Sequence, residues 1–388
     1  MAYEWIVVGG GIHGCTIASY LLKKNKVSLG NLCIIDPNET PLSRWRKNTE
    51  RIGMEYLRSP FVHHLDVEPF SLIKYAGNQH GKVKEFFGFY KRPSLNIFNQ
   101  HSESLFRELD LKSCWHRASV NEIERENGLW IVSTDSGERL AAKKIVLAIS
   151  INEQLNVPEW SESFEAGPGQ LVHIFDAKAD ISELAPPIAV IGGGITAAHS
   201  VIKLAGIYPG QVHLIKRHPF KVFDFDSDPG WLGPKKQMSY SRLEDYSERR
   251  AVINSARNRG SLTRELFHKL SKLERDQQIQ VTDGDVTSIK RGEADDIILS
   301  TGKQEIIARS VVFATGFKPA RPGGSWLEKA IKKYELPCAG CGYPIVSQSL
   351  EWYRHLYVMG PLAELEIGPI ARNISGARQA AERIVQGI

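Results

Sequence analysis

Trp5-Ile6-Val7-Val8-Gly9-Gly10-Gly11-Ile12-His13-Gly14 takes the chain from an all-apolar run straight into a glycine-rich turn. The same pattern returns at Ile188-Ala189-Val190-Ile191-Gly192-Gly193-Gly194-Ile195-Thr196-Ala197. Four consecutive apolar residues ahead of glycine read as a strand buried on both faces, as in a parallel sheet. In the turn beyond it, glycine permits the tight bend and lets backbone approach a pyrophosphate, while the helix N-terminus faces its charge. Two such turns imply two dinucleotides. The fold class is therefore α/β, with two Rossmann-like units.

The residues downstream of each fingerprint separate the two ligands. The first leads through the helix-like Cys15 to Lys24 and the strand Leu32-Cys33-Ile34-Ile35 to Asp36, near the spacing of a ribose-binding acid. The second leads to Val212-His213-Leu214-Ile215 and then Lys216 and Arg217. Two cations in place of the carboxylate favour a 2′-phosphate, and so NADPH over NADH.

An internal repeat supports the pairing. Val120, Ile123, the stretch Trp130 to Thr134, a turn near Gly137 and Ile145-Val146-Leu147-Ala148 come after the first fingerprint. Val286, Ile289, the stretch Ile297 to Thr301, a turn at Gly302 and Val311-Val312-Phe313-Ala314 come after the second. Val120 to Ala148 and Val286 to Ala314 both span 28 positions, and Ala142 matches Ala308 in that frame. Each half thus reads as a nucleotide-binding unit with a small antiparallel meander returning to a buried strand. Pro186 and Pro187, then Pro319, Pro322, Gly323 and Gly324, mark crossing linkers. The expected division is residues 1–184, an inserted unit at 185–316, and 317–388 completing the first unit.

Net charge is +5 over 388 residues, and the basic residues between Lys235 and Lys272 alternate with Glu244, Asp245, Glu248 and Glu265. That pattern reads as solvated helices, so no nucleic-acid partner is expected. No apolar run reaches membrane-spanning length and the first strand begins at Tyr3, so no membrane partner is expected and the location read from the sequence is cytoplasmic. The five cysteines argue against a disulfide framework, but Cys338 and Cys341 form a C-x-x-C, a spacing seen in redox dithiols and half zinc sites. With no second C-x-x-C and His355 as the nearby histidine, no metal site is expected. The charged stretch from Ser241 to Leu273 could lie on solvent or form an interface, which leaves a homo-oligomer open.

On these residues the chain resembles the two-dinucleotide flavoproteins, which hold FAD in the first unit and NAD(P)H in the second. Within them it looks most similar to the flavin-dependent monooxygenases, meaning the flavin-containing monooxygenases and the lysine and ornithine N-hydroxylases. Gly169-Gln170-Leu171-Val172-His173 has the Gly-x-x-x-His core of the first group. Met54 to Pro60 with His63, His64, Leu65 and Asp66, then Arg92-Pro93-Ser94 with Phe98, resemble the N-hydroxylase segment beside the isoalloxazine. Phe225 to Leu232 followed by a charged helix from Ser241 to Asn258 is similar to the N-hydroxylase insertion that encloses substrate. The flanking aromatics of the Gly-x-x-x-His signature are absent, and Ala148-Ile149-Ser150 and Gly360-Pro361 depart from the usual closing turns.

The resemblance implies an FAD- and NADPH-dependent enzyme in which a flavin hydroperoxide, formed with molecular oxygen, hydroxylates an amine nitrogen or oxidises a sulfur of a small molecule. The alternative is a flavoprotein reductase passing electrons to another acceptor through Cys338 and Cys341. The first dinucleotide is assigned to Gly9, Gly11, Ile12, His13, Gly14, Asp36, Pro37, Trp45, Val120 and Ala148, closed by Gly360, Gly368 and Ile370. The second is assigned to Gly192, Gly194, Ile195, Thr196, Lys216, Arg217, Thr315 and Gly316. A terminal helix is expected after Gly368 and Pro369, its free N–H groups facing the flavin. Arg58, a cation for an anionic flavin state, and His64 are the candidate catalytic residues.

Overall fold

The computed structural model describes residues 2–78 and 85–388. Two parallel sheets organise it. In the first, the strands run in the order Glu351–Tyr353, Leu356–Val358, Arg139–Leu147, Tyr3–Val8, Leu32–Asp36 and Trp115–Arg117. Only the outermost pair, Glu351–Tyr353 with Leu356–Val358, is antiparallel along this path. Trp5, Ile6 and Val7 on the central strand are wholly buried, which is why that strand reads as continuously apolar instead of alternating. The second sheet is parallel throughout, in the order Ile279–Asp283, Val212–Lys216, Ile188–Ile191, Ser310–Phe313 and Leu171–His173.

The two units repeat each other in register. Val8 lies opposite Ile35 and Leu147, and Ile191 lies opposite Ile215 and Phe313. Each has its three-stranded antiparallel meander: Val120–Glu126, Leu129–Thr134 and Arg139–Leu147 in the first, Ser288–Arg291, Ile297–Ser300 and Glu305–Ala308 in the second. One difference separates them. Arg139–Leu147 serves both as the last meander strand and as the strand returning to the parallel sheet, whereas in the second unit Arg309 divides these roles between Glu305–Ala308 and Ser310–Phe313.

Three expectations about boundaries change. Leu171–His173 pairs with Ser310–Phe313, and Val157, Trp160 and Phe164 pack on the second unit's core, so the inserted unit gathers chain from well before residue 185. The charged helix expected from Ser241 to Asn258 is instead two helices, Pro234–Ser241 and Tyr246–Ala256. Asp245 starts the second by accepting a hydrogen bond from the Ser247 N–H at 2.6 Å, so the chain breaks between them. The terminal helix runs Ile374–Gln386, because Asn373 caps it by accepting from the Gly376 N–H at 3.0 Å; Gly368, Pro369 and Ile370 form the turn before it. Among the described residues, no helix is long and apolar enough to cross a membrane.

The two fingerprints differ at their last position. A Cβ on Gly14 would fall 1.7 Å from the Gly9 carbonyl oxygen, whereas Ala197 in the second copy stands 3.4 Å from where a Gly192 Cβ would be. Gly14→Ala is therefore expected to cost about 3 kcal/mol or more of stability, and Ala197→Gly only about 1 kcal/mol. Urea unfolding checks this; equal losses would contradict it.

Candidate active site

Close backbone approach shapes the first cradle. Gly9, at φ +104°, leaves no room for a side chain, since a Cβ would lie 2.7 Å from the Ala148 carbonyl oxygen. Gly10 is equally constrained: a Cβ would sit 2.0 Å from the Trp115 indole, whose N–H donates to the Asn38 carbonyl at 3.0 Å. A Cβ built on Gly11 would meet nothing within 4 Å among the described residues, its chain neighbours aside. Helix Ile12–Lys23 starts there with Gly11 as its N-cap and no side-chain cap, so its first N–H groups are left for an anion. Asp36 accepts from the Gly10 N–H at 2.7 Å on one oxygen and from Asn38 at 2.8 Å on the other. A carboxylate has lone pairs to spare, so Asp36 fixes the loop and can still accept from a ribose diol. Open glycine, free helix terminus and acid together fit the pyrophosphate and ribose of a dinucleotide. Gly10 was missed from sequence; its place in a run of three glycines was the available signal.

The second cradle repeats this geometry. A Cβ on Gly192 (φ +148°) would lie 2.7 Å from the Ala314 carbonyl oxygen, the counterpart of Gly9 over Ala148. Gly194 caps helix Ile195–Ile207 without a side-chain cap, placing Ile195 and Thr196 in its open first turn. Gly260 of the insertion packs closely on Gly194, with its Cα 3.2 Å from a built Cβ. Lys216 is not where the sequence puts it. Its side chain is 3% exposed and pairs with Asp283 on the neighbouring strand. Arg217 is exposed, and the ring of His218 approaches Gly193 and Gly260 to 3.4 Å of their built Cβ positions.

Elsewhere the assigned residues form the joints between segments. Thr315 donates its hydroxyl to the Asn156 carbonyl, and the Gly316 carbonyl accepts from the Asn156 N–H and from His173 Nε2, both at 3.0 Å. His173 Nδ1 accepts from the Phe175 N–H at 3.2 Å, so the Gly-x-x-x-His histidine is a latch on the closing turn, kept neutral by burial. His13 Nε2 donates to the Ala371 carbonyl at 2.8 Å and its ring lies against Gly360, which brings the first cradle to the C-terminal segment. Burial lowers its pKa to about 4. Gly368 packs on the ring of Tyr240, which donates to the Leu365 carbonyl at 2.9 Å. Trp45 donates to Asn99 at 3.1 Å, joining helix Ser43–Ile52 to helix Leu95–Glu108, while Ile370 is buried, Val120 half-buried and Pro37 exposed.

Neither catalytic candidate has the role expected of it. His64 is wholly buried: Nε2 donates to the Pro69 carbonyl at 3.0 Å and Nδ1 accepts from the Asp66 N–H at 3.2 Å. Burial lowers its pKa to about 3, and both nitrogens are engaged, which leaves it no proton chemistry. Arg58 spends its guanidinium on the carbonyls of Phe223, Asp224 and Phe225, on the Ser261 hydroxyl at 2.9 Å and on Asp226 at 2.7 Å. It ties the first unit to the insertion. A narrow cavity nevertheless opens beside it, lined by Arg58, Ser59 and His63, by Phe225, Asp226, Ser227 and Leu232 of the insertion, and by Ile370 and Asn373. His63, not His64, faces this meeting point of three chain segments.

Next to it lies a buried ion cluster. Glu364, 1% exposed, accepts from Arg372 at 2.6 Å and pairs with Arg250. Burial raises its pKa, but the two guanidiniums outweigh that and hold the carboxyl below its usual range. A wider groove of about 730 Å³, ample for a small ligand, runs between Arg46, Glu50, Met54, Glu55 and Tyr56 on one side and Ser94, Leu95, Asn96 and Asn99 on the other.

Burial lowers the pKa of His173 and His213 and pushes five histidines further down: His13, His63, His101 and His199 to about 4, and His64 to about 3. An unfolded histidine protonates near pH 6.5, so the unfolded chain binds more protons in the window below it. Stability should be full above about pH 6.5 and fall steeply as pH drops toward 4. Denaturant midpoints measured across that range check this, and a flat profile would contradict it.

Residues 6–152 match the FAD-NAD(P)-binding family. No curated protein matches the chain in sequence. Among solved structures, the chain is similar to an ornithine hydroxylase from Pseudomonas aeruginosa, with TM-score 0.77 and 19% identity over 100% of this chain and 98% of that one. It is similar to a cadaverine monooxygenase from Erwinia amylovora bound to FAD, with TM-score 0.76 and 15% identity over 100% and 95%. A bacillithiol disulfide reductase from Staphylococcus aureus aligns at TM-score 0.63 and 16% identity over 100% and 98%. With its two cradles, two meanders and whole-length superposition on these enzymes, the chain has the two-dinucleotide-binding flavoprotein fold, its first unit matching the FAD-NAD(P)-binding family.

Proposed function

We propose that this protein is an FAD- and NADPH-dependent monooxygenase of the cytoplasm that hydroxylates an amine nitrogen of a small molecule. The observation that carries this reading is the order of likeness over the full chain: 0.77 to an ornithine hydroxylase and 0.76 to a cadaverine monooxygenase against 0.63 to a disulfide reductase. The first cradle, from Gly9 to Gly14 with Asp36, fits FAD, and the second, from Gly192 to Ala197, fits the pyridine nucleotide. Bound flavin supplies the redox and oxygen chemistry that no side chain provides.

The protein's own residues bind, orient and exclude water. The open N-termini of helices Ile12–Lys23 and Ile195–Ile207 take the two pyrophosphates. Arg58 holds the insertion down through Phe223, Phe225 and Ser261, so Phe225 and Leu232 close the cavity over His63 and Ile370. A neutral His63 there adds no charge against an amine, since burial lowers its pKa to about 4.

The rival reading, electron transfer through the dithiol, has a half-buried Cys338 and an exposed Cys341 as free thiols on a hairpin closed by Gly342 N–H to the Ala339 carbonyl at 2.7 Å. Anaerobic reduction of the FAD-loaded protein by NADPH, then air and a panel of primary amines, separates the two. The monooxygenase reading expects amine-dependent hydroxylated product, retained within about twofold in a Cys338→Ser, Cys341→Ser double variant. Reduction without any hydroxylated product, together with acceptor turnover lost in the double variant, would replace it with a reductase.

A further inference from the structure

In the repeat, Asp36 and Lys216 hold the same place. Each ends the second strand of its sheet, one residue beyond the partner of the fingerprint strand's last residue, Ile35 opposite Val8 and Ile215 opposite Ile191. The third strands continue the equivalence. Asp36 is in register with Arg117, and Lys216 is in register with Asp283. The charges are exchanged between the two units: acid then base in the first, base then acid in the second. In the second unit the exchanged charges meet. Lys216 forms an ion pair with Asp283, its Nζ lies 4.4 Å from the centre of the Phe220 ring, and it reaches the His218 carbonyl at 3.4 Å. The pair sits at the rim, because Asp283 is 61% exposed while the lysine stem is 3% exposed.

This position decides what a 2′-phosphate would meet. A ribose at the Gly192 cradle is read by the residue that ends the second strand. A free ammonium there would add a charge-assisted bond to a phosphate, but an ammonium already paired adds little and brings its carboxylate along. That carboxylate repels a phosphate and can accept from an unphosphorylated diol. Arg217, exposed and next in sequence, is then the cation left for the phosphate.

We propose that Asp283 sets the pyridine-nucleotide selectivity of the second unit by holding Lys216 away from the 2′-phosphate, so that Arg217 alone supplies the preference for NADPH over NADH. The inference rests on the second cradle binding a pyridine nucleotide, and it makes the sequence's two-cation signal a one-cation signal.

Dissociation constants for NADP⁺ and NAD⁺, measured by calorimetry on the FAD-loaded protein, test it. Asp283→Asn should free Lys216 and tighten NADP⁺ roughly tenfold, with NAD⁺ not tightened. The Lys216→Met, Asp283→Asn double variant, which keeps the local charge balance, should bring NADP⁺ back to within about threefold of the unaltered protein. Arg217→Ala, at an exposed position, should remove most of the NADP⁺ preference, by roughly tenfold. An Asp283→Asn protein with unchanged NADP⁺ affinity would overturn the inference. So would a double variant binding NADP⁺ about tenfold more weakly than the unaltered protein, because Lys216 would then already be a ligand. If the unaltered protein binds neither nucleotide, the pyridine-nucleotide reading itself fails and this inference goes with it.

Discussion

One steric constraint is made twice, by a glycine that lies against the carbonyl closing its own unit. Gly9 sits over Ala148 and Gly192 over Ala314, each with room for a hydrogen and nothing larger. In each unit this contact brings the fingerprint turn against the end of the strand returning from the meander. Just beyond it, Gly11 and Gly194 start the two helices without a side-chain cap.

Between the units, specificity of assembly comes from polar groups at the ends of long side chains. Arg58 collects three carbonyls, a hydroxyl and a carboxylate from the insertion. Arg250 and Arg372 converge on Glu364, and Arg249 reaches Glu366 at 2.7 Å. Breaking one partner of a buried pair costs about 3–5 kcal/mol, because the other is left charged and dry. The insertion is consequently held at one orientation over the cavity by bonds that hydrophobic packing alone would not direct.

Much of this was legible in the residues. The fingerprints, the meanders and the 166-residue offset of the second meander from the first come from local pattern, and the sheets carry them in the expected register. The misreadings share a physical cause. Lys216 looked like a free cation because its partner Asp283 lies 67 residues away and meets it only through parallel strand pairing. Arg58 and Ser261 are similarly remote in sequence. His64 differs from His63 by one position, and only the fold decides which ring turns inward to Pro69 and which lines the cavity. The helix starts at Ile374 and Tyr246 depend on Asn373 and Asp245 turning their side chains back on the backbone, a competition that apolar periodicity does not register.

The loop ending at Ser261 touches both halves of the molecule at once. Gly260 abuts the second fingerprint at Gly194, and the next residue offers its hydroxyl to Arg58 of the first unit. Two adjacent residues thus join the second fingerprint to the first unit, one by close backbone packing and the other by accepting a guanidinium hydrogen bond.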